Sequence, residues 1–181
     1  MGPLNGIKVL EFSGIGPGPY CGMLLADLGA DVIRLSRVSE KGAHNKFDIH
    51  NRSKRTIVAD LKNPKAIIEI KKIIKKVDVL FEGYRPGVME KLGLSPEKCL
   101  KLNESLVYGR MTGWGQDGPM SKQAGHDINY ISLSGALNAI GDQNSNPSIP
   151  LNLIGDYGGG GMMLAMGILA GVISSSKTGK G

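Results

Sequence analysis

Cysteine is scarce in this chain. Cys21 and Cys99 are its two cysteines, 78 positions apart and without a CxxC pair. That excludes a disulfide scaffold and a cysteine-built zinc site, and it fits a reducing compartment. Aromatic residues make up only 5% of the sequence, so the core has to be built from Leu, Ile, Val, Met and Ala. Long apolar runs are missing as well. The start, MGPLNGIKVLEF, lacks the basic opening and apolar stretch of a signal peptide, and Asn5 and Gly6 break the myristoylation pattern after Gly2. The most apolar late stretch, Met162 to Ile173, is short for a bilayer span. With no RNA-reading aromatic motif and no zinc-finger spacing, a soluble cytoplasmic protein with neither nucleic acid nor membrane as partner is expected.

The chain has 181 residues, 41% hydrophobic and 21% charged, the balance of a globular protein. The net charge is +6 and the pI about 9.3, which could serve nucleic acid, an anionic membrane or a phosphorylated small molecule. Lys65, Lys71, Lys72, Lys75 and Lys76 interleave with Ala66, Ile67, Ile70, Ile73 and Ile74 at helical spacing. They read as the wet face of an amphipathic helix.

Strand-like and helix-like segments alternate. Ile7–Phe12, Asp31–Leu35, Thr56–Asp60, Val77–Phe81 and Leu106–Arg110 read as strands, and Pro19–Leu28 as a helix ending at Gly29. Asn63–Pro64 and Ser95–Pro96 each place a cap before a proline at the first helical position. This alternation predicts βαβ units in a Rossmann-like parallel sheet with flanking helices over residues 1–112. Residues 113–181 read as a loop-and-helix region: a loop at Gly113–Pro119, a helix over Asp127–Ala139 and a glycine-rich helix over Tyr157–Ile173. Glycine costs about 1 kcal/mol per helical position relative to alanine, so this last helix needs a closely approaching neighbour. The end, SSSKTGKG, reads as a hairpin turn with nothing after it to pair, which suggests a fragment.

Two motifs bear on chemistry. Gly14-Ile15-Gly16-Pro17-Gly18-Pro19 follows the first strand, but the sixth position of a dinucleotide fingerprint is Pro19 here. The second strand runs into Ser36 and Arg37 rather than a ribose-binding acid, which argues against NAD. Arg37 suits a nucleotide phosphate; the alternative is a tight βα turn beside a surface arginine. The second motif is His126 and Asp156, each just before a predicted helix. A helix N-terminus favours the carboxylate of one and the neutral form of the other, as two bases poised for proton transfer require. Plain helix capping is the competing explanation for Asp156. His44 and His50 fall in a polar stretch and read as solvent-exposed.

Six segments, in order along the whole chain, carry a family resemblance: LNGIKVLEFSGIGPGPYCGMLLADLGADVIRL, DLKNP, YRPGVMEKLGL, GRMTGWGQDGP, AGHDINYISLSG and LNLIGDYGGGGMM. The sequence resembles the α-methylacyl-CoA racemases of the family III CoA-transferase superfamily. The resemblance implies an incomplete large domain of that fold, with His126 and Asp156 as its catalytic groups. It sets Arg37 near the phosphates of coenzyme A and Ala59, Asp60, Leu61 and Lys62 beside the adenine. It sets Gly125, His126, Asp127, Ile128, Asn129 and Tyr130 along the thioester and pantetheine end, with Arg85 adding positive charge. The implied reaction is racemisation at the α-carbon of a 2-methylacyl-CoA thioester, without metal or redox cofactor, coenzyme A being part of the substrate. Backbone N–H groups beside Asp156 are the expected donors to the enolate oxygen.

Such racemases are about twice as long, add a smaller second domain and form interlocked dimers. In some members a glutamate from the portion missing here supports the histidine. Weak or no turnover by these 181 residues alone is the expectation. Two rivals stand beside it: a CoA-transferase with Asp156 as nucleophile, and a non-catalytic CoA-binding module.

Overall fold

The computed structural model describes residues 2–40 and 47–181. Its centre is a parallel sheet of β1 (Lys8–Phe12), β2 (Asp31–Ser36), β3 (Arg55–Val58), β4 (Val79–Glu82) and β5 (Val107–Arg110), in the spatial order β3-β2-β1-β4-β5. Every neighbouring pair is parallel. The order reverses between β1 and β4, and in such sheets the crevice beyond the strand ends at that reversal is where ligands bind.

Alternation along the strands divides the apolar residues between two faces. Leu10, Phe12, Leu35 and Leu80 pack with Ile70 and Ile74 of α2 (Pro64–Ile74), Met89 of α3 (Val88–Lys91) and Cys99 of α4 (Pro96–Leu102). Val9, Val32, Val79 and Phe81 pack on the other face with Cys21 and Leu25 of α1 (Pro17–Asp27) and with Ala165 and Ile168 of α6 (Met162–Thr178). The two cysteines are therefore buried on opposite faces of the sheet.

The caps form as the sequence predicts. Asn63 Oδ1 accepts the Lys65 N–H at 3.0 Å, and Ser95 Oγ accepts the Lys98 N–H at 3.4 Å. Lys65 and Lys72 are exposed and Lys71 is half-buried on the helix whose Ile70 and Ile74 enter the core, and Lys75 and Lys76 are exposed just past its end. Under α1 lies a fully buried ion pair, Lys54 Nζ to Glu11 Oε2 at 2.6 Å, with Lys54 also donating to the Pro19 carbonyl at 2.8 Å. It pins the chain before β3 to the start of α1; a Cβ at Gly22 would stand only 2.7 Å from that Nζ.

Strand bounds and α1 shift by one or two residues from the sequence reading, and two helices differ more. α1 begins at Pro17 rather than Pro19, using proline at its first position. The helix expected over Asp127–Ala139 is α5 (Asp127–Leu133), followed by a 3₁₀ turn at Ala136–Ala139. Gly135, at φ 80°, ends it in the left-handed conformation. The glycine-rich helix starts earlier and ends later than predicted: a π-helical segment, Leu153–Gly161, runs straight into α6. Ser174–Thr178, expected in a hairpin turn, is the last turn of α6 and closes on Gly179 at φ 72°. The continuous run Leu153–Thr178 has 26 residues and a mean hydropathy of 1.4 in its apolar window, which reaches the length of a bilayer span. Here it packs along β5 and α1, and Ala165 and Ile168 are its points of entry to the core.

Candidate active site

A cleft of about 780 Å³ opens where the strand order reverses. Its floor is the turn after β1, Ser13–Pro19; its walls are Gly83–Pro86 after β4, Met111–Gly113 after β5, the start of α5 and the π-helical segment. His126, Asp156, Arg37, Arg85, Gly125 and Tyr130 all line it.

His126 is the N-cap of α5, in extended conformation, with its side chain at the surface of the cleft. Its N–H donates to Asn129 Oδ1 at 3.0 Å, and its carbonyl accepts the Asn129 N–H at 2.8 Å. This reciprocal cap fixes the backbone at the start of α5. Behind it, Trp114 and Tyr130 meet edge to face at 4.9 Å, and Gly125 threads between them: a Cβ there would come within 2.8 Å of either ring.

Asp156 differs from expectation. It is not the residue before the glycine-rich helix but lies within the π-helical segment, whose N-cap is Asn152. Capping therefore does not account for it. Its carboxyl hangs over the turn after β1, where a Cβ at Gly16 would stand 3.2 Å from Oδ2. Gly16 itself sits at φ 65°, so the glycine is needed both for its conformation and for this approach. Burial and, second, the charge of Asp127 raise the Asp156 carboxyl above the usual carboxylate range; Asn152 and His126 partly oppose them.

The N–H groups beside Asp156, expected as enolate donors, are already engaged. The Asp156 N–H donates to Asp127 Oδ2 at 2.6 Å, and the Tyr157 N–H to the Asn152 carbonyl at 3.3 Å. An enolate oxygen would need donors from elsewhere in the cleft.

Arg37 follows β2 with its guanidinium 5.4 Å from the Tyr84 ring centroid. Ala59, Asp60, Leu61 and Lys62 follow β3 at the same sheet edge, where the Ala59 N–H donates to the Ser36 carbonyl at 3.0 Å. None of the four lines the cleft, and Asp127, Ile128 and Asn129 also lie outside its lining. His50, expected in solvent, instead packs half-buried against Tyr20 and Tyr157, with ring centroids 6.4 and 5.5 Å away. His44 falls outside the described residues. Sequence reasoning missed Tyr84 and Tyr157; each adjoins a residue it did single out, and that adjacency was the available signal.

The model of CoA-transferase family III matches residues 4–181. Two curated relatives are named α-methylacyl-CoA racemase: one from Mus musculus, 45% identical over 178 residues, and one from Homo sapiens, 46% identical over 180 residues. Each alignment covers 98% of this chain, which spans 46% of the length of either relative. A crystal structure of a CAIB/BAIF family protein from Brucella suis superposes with a TM-score of 0.89 at 28% identity, over 99% of this chain and 51% of that one. Parallel sheet, cleft and relatives agree: the chain belongs to CoA-transferase family III.

Proposed function

We propose that this chain carries the proton-transfer half of a racemase acting on the α-carbon of 2-methylacyl-CoA thioesters. The observation that carries the reading is that His126 and Asp156, 30 positions apart, line one cleft. A thioester acidifies its α-hydrogen because the carbanion delocalises onto the thioester oxygen. Neutral His126 removes the proton from one face, and protonated Asp156 delivers one to the other, inverting the centre. For the opposite enantiomer the roles exchange. Burial raises the Asp156 carboxyl, which makes its ionised form a stronger base than an exposed carboxylate. The acidity comes from the thioester, so the scheme requires neither metal nor redox cofactor.

Coenzyme A is a polyanion, and Arg37 and Arg85 bring positive charge to the cleft lining. The relatives' names supply the substrate class, and their greater length leaves room for a second domain and an interlocked dimer that would complete the site.

The test is α-proton exchange. A single enantiomer of a 2-methylacyl-CoA in deuterated water should lose its α-proton signal and its optical purity together. His126→Ala and Asp156→Ala should each abolish exchange. No exchange, with CoA transferred to an added carboxylate, would instead favour the second reading. That reading rests on the half-buried Asp156 carboxyl in a family named for transferases, and it makes Asp156 a nucleophile forming an acyl anhydride.

A further inference from the structure

Asp127 adjoins His126 in sequence, yet its side chain does not face the cleft. It is 4% exposed, and its Oδ2 accepts the Asp156 N–H at 2.6 Å, a bond reaching 29 positions along the chain. Its Oδ1 is also buried and has no hydrogen-bond partner in the protein. A carboxyl in the first turn of a helix ordinarily helps that turn from the surface, where water satisfies both oxygens. Here one oxygen is spent on a distant backbone group and the other left unsatisfied, an arrangement that costs stability. The opposing segment is shaped to receive it. A Cβ at Gly155 would stand 3.0 Å from Oδ2 and 3.1 Å from Cγ, so an unsubstituted position lets the carboxylate reach the Asp156 amide.

We infer that Asp127 is a positioning residue: its carboxylate ties the backbone of Asp156 to the N-terminus of α5 and so fixes the spacing of the two proton-transfer groups. The inference rests on the racemase reading for its function, though not for its geometry. His126 and Asp127 share a peptide bond, so one side chain connects the two residues that must stand on opposite faces of the α-carbon. The backbone of α5 is set by the reciprocal His126–Asn129 cap, and that of the π-helical segment is anchored to it through this bond. The same carboxylate adds charge that lifts the Asp156 carboxyl. The other groups acting on Asp156 are His126 and Asn152, while Tyr130 lies close enough for its own hydroxyl to feel both carboxylates.

The experiment pairs Asp127→Asn with Asp127→Ala in the assembled enzyme that shows exchange. Asn keeps an oxygen acceptor in the same place, whereas Ala removes it. Asp127→Ala should lower kcat about 10²-fold, the scale of an ångström-sized misplacement, and leave KM for the thioester nearly unchanged. Asp127→Asn should restore most of that loss. By NMR on the 181-residue chain, the Asp156 amide proton, expected downfield because of its short bond to a carboxylate, should move upfield in Asp127→Ala. It should also move upfield in Gly155→Ala, which displaces the carboxylate without removing it. Wild-type exchange rates in Asp127→Ala, or an Asn variant no better than Ala, would overturn the inference. Should the wild type show no exchange at all, the racemase reading fails by itself. The amide shift then decides alone: movement in both variants supports the tether, and an unmoved signal overturns it.

Discussion

The buried carboxyls are where single residues leave a mark that can be measured. Glu82, 4% exposed at the end of β4, accepts the Tyr84 N–H at 2.6 Å and faces Arg110 Nε at 3.7 Å. Burial raises its carboxyl from 4.5 to about 7 in spite of both partners. The folded pKa being the higher one, the stabilisation is fully present below about pH 4.5 and is lost as pH rises through about 7. Glu82→Gln should therefore flatten the decline in stability across that window by up to ~3 kcal/mol, read from urea midpoints at several pH values. Some slope should persist, because burial also raises Glu11, within its ion pair with Lys54. Neither glutamate could have been identified from sequence: each sits in a strand where a charge reads as solvent-facing, and only the covering elements bury it.

At the scale of elements, the glycine-rich run explains itself by what touches it. α1 and the π-helical segment meet so closely that a Cβ at Gly161 would lie 2.6 Å from the Tyr20 ring and 2.9 Å from the Pro17 carbonyl oxygen. Further along, a Cβ at Gly171 would come within 2.7 Å of Val107 on β5. This close approach offsets the helical cost of glycine that the sequence foresaw. Gly161→Ala should cost about 1–3 kcal/mol by thermal unfolding, the usual range for overpacking. It should also reduce exchange activity, because the segment it displaces carries Asp156. A wild-type melting temperature in this variant would show that the helices separate freely. Sequence periodicity recovered α2 and α4 with their caps because those signals are local. It misjudged α5 and the π-helical segment, since one is stopped by a left-handed glycine and the other is wound by its neighbours.

For the whole molecule, charge and topology meet in the cleft. The +6 balance could have served several anions, and the fold brings Arg37 and Arg85 to the crevice while the helical lysines stay outside it. On the proposed reading, in which Arg37 meets a phosphate of coenzyme A, Arg37→Ala in the assembled enzyme should raise KM for a CoA thioester about tenfold with little change in kcat. The effect should shrink with added salt, as exposed charge interactions do. Reversing Lys72 or Lys75 should leave both constants within twofold, a bound on surface charges remote from the cleft.

The sequence by itself determined the parallel sheet and the capped helices, because period and punctuation are short-range properties; His126 and Asp156 stand out as a pair through the family resemblance. The sequence also carried the family, through segments spread in order from end to end. Only the tertiary structure decided that Asp156 is wound inside a π-helical segment, that its N–H is held by Asp127, and that His50 packs half-buried against two tyrosines. Each of these depends on which distant backbone comes within hydrogen-bonding or van der Waals reach. That distance is set by the packing of α1, α5 and α6 around the sheet rather than by any stretch of residues read alone.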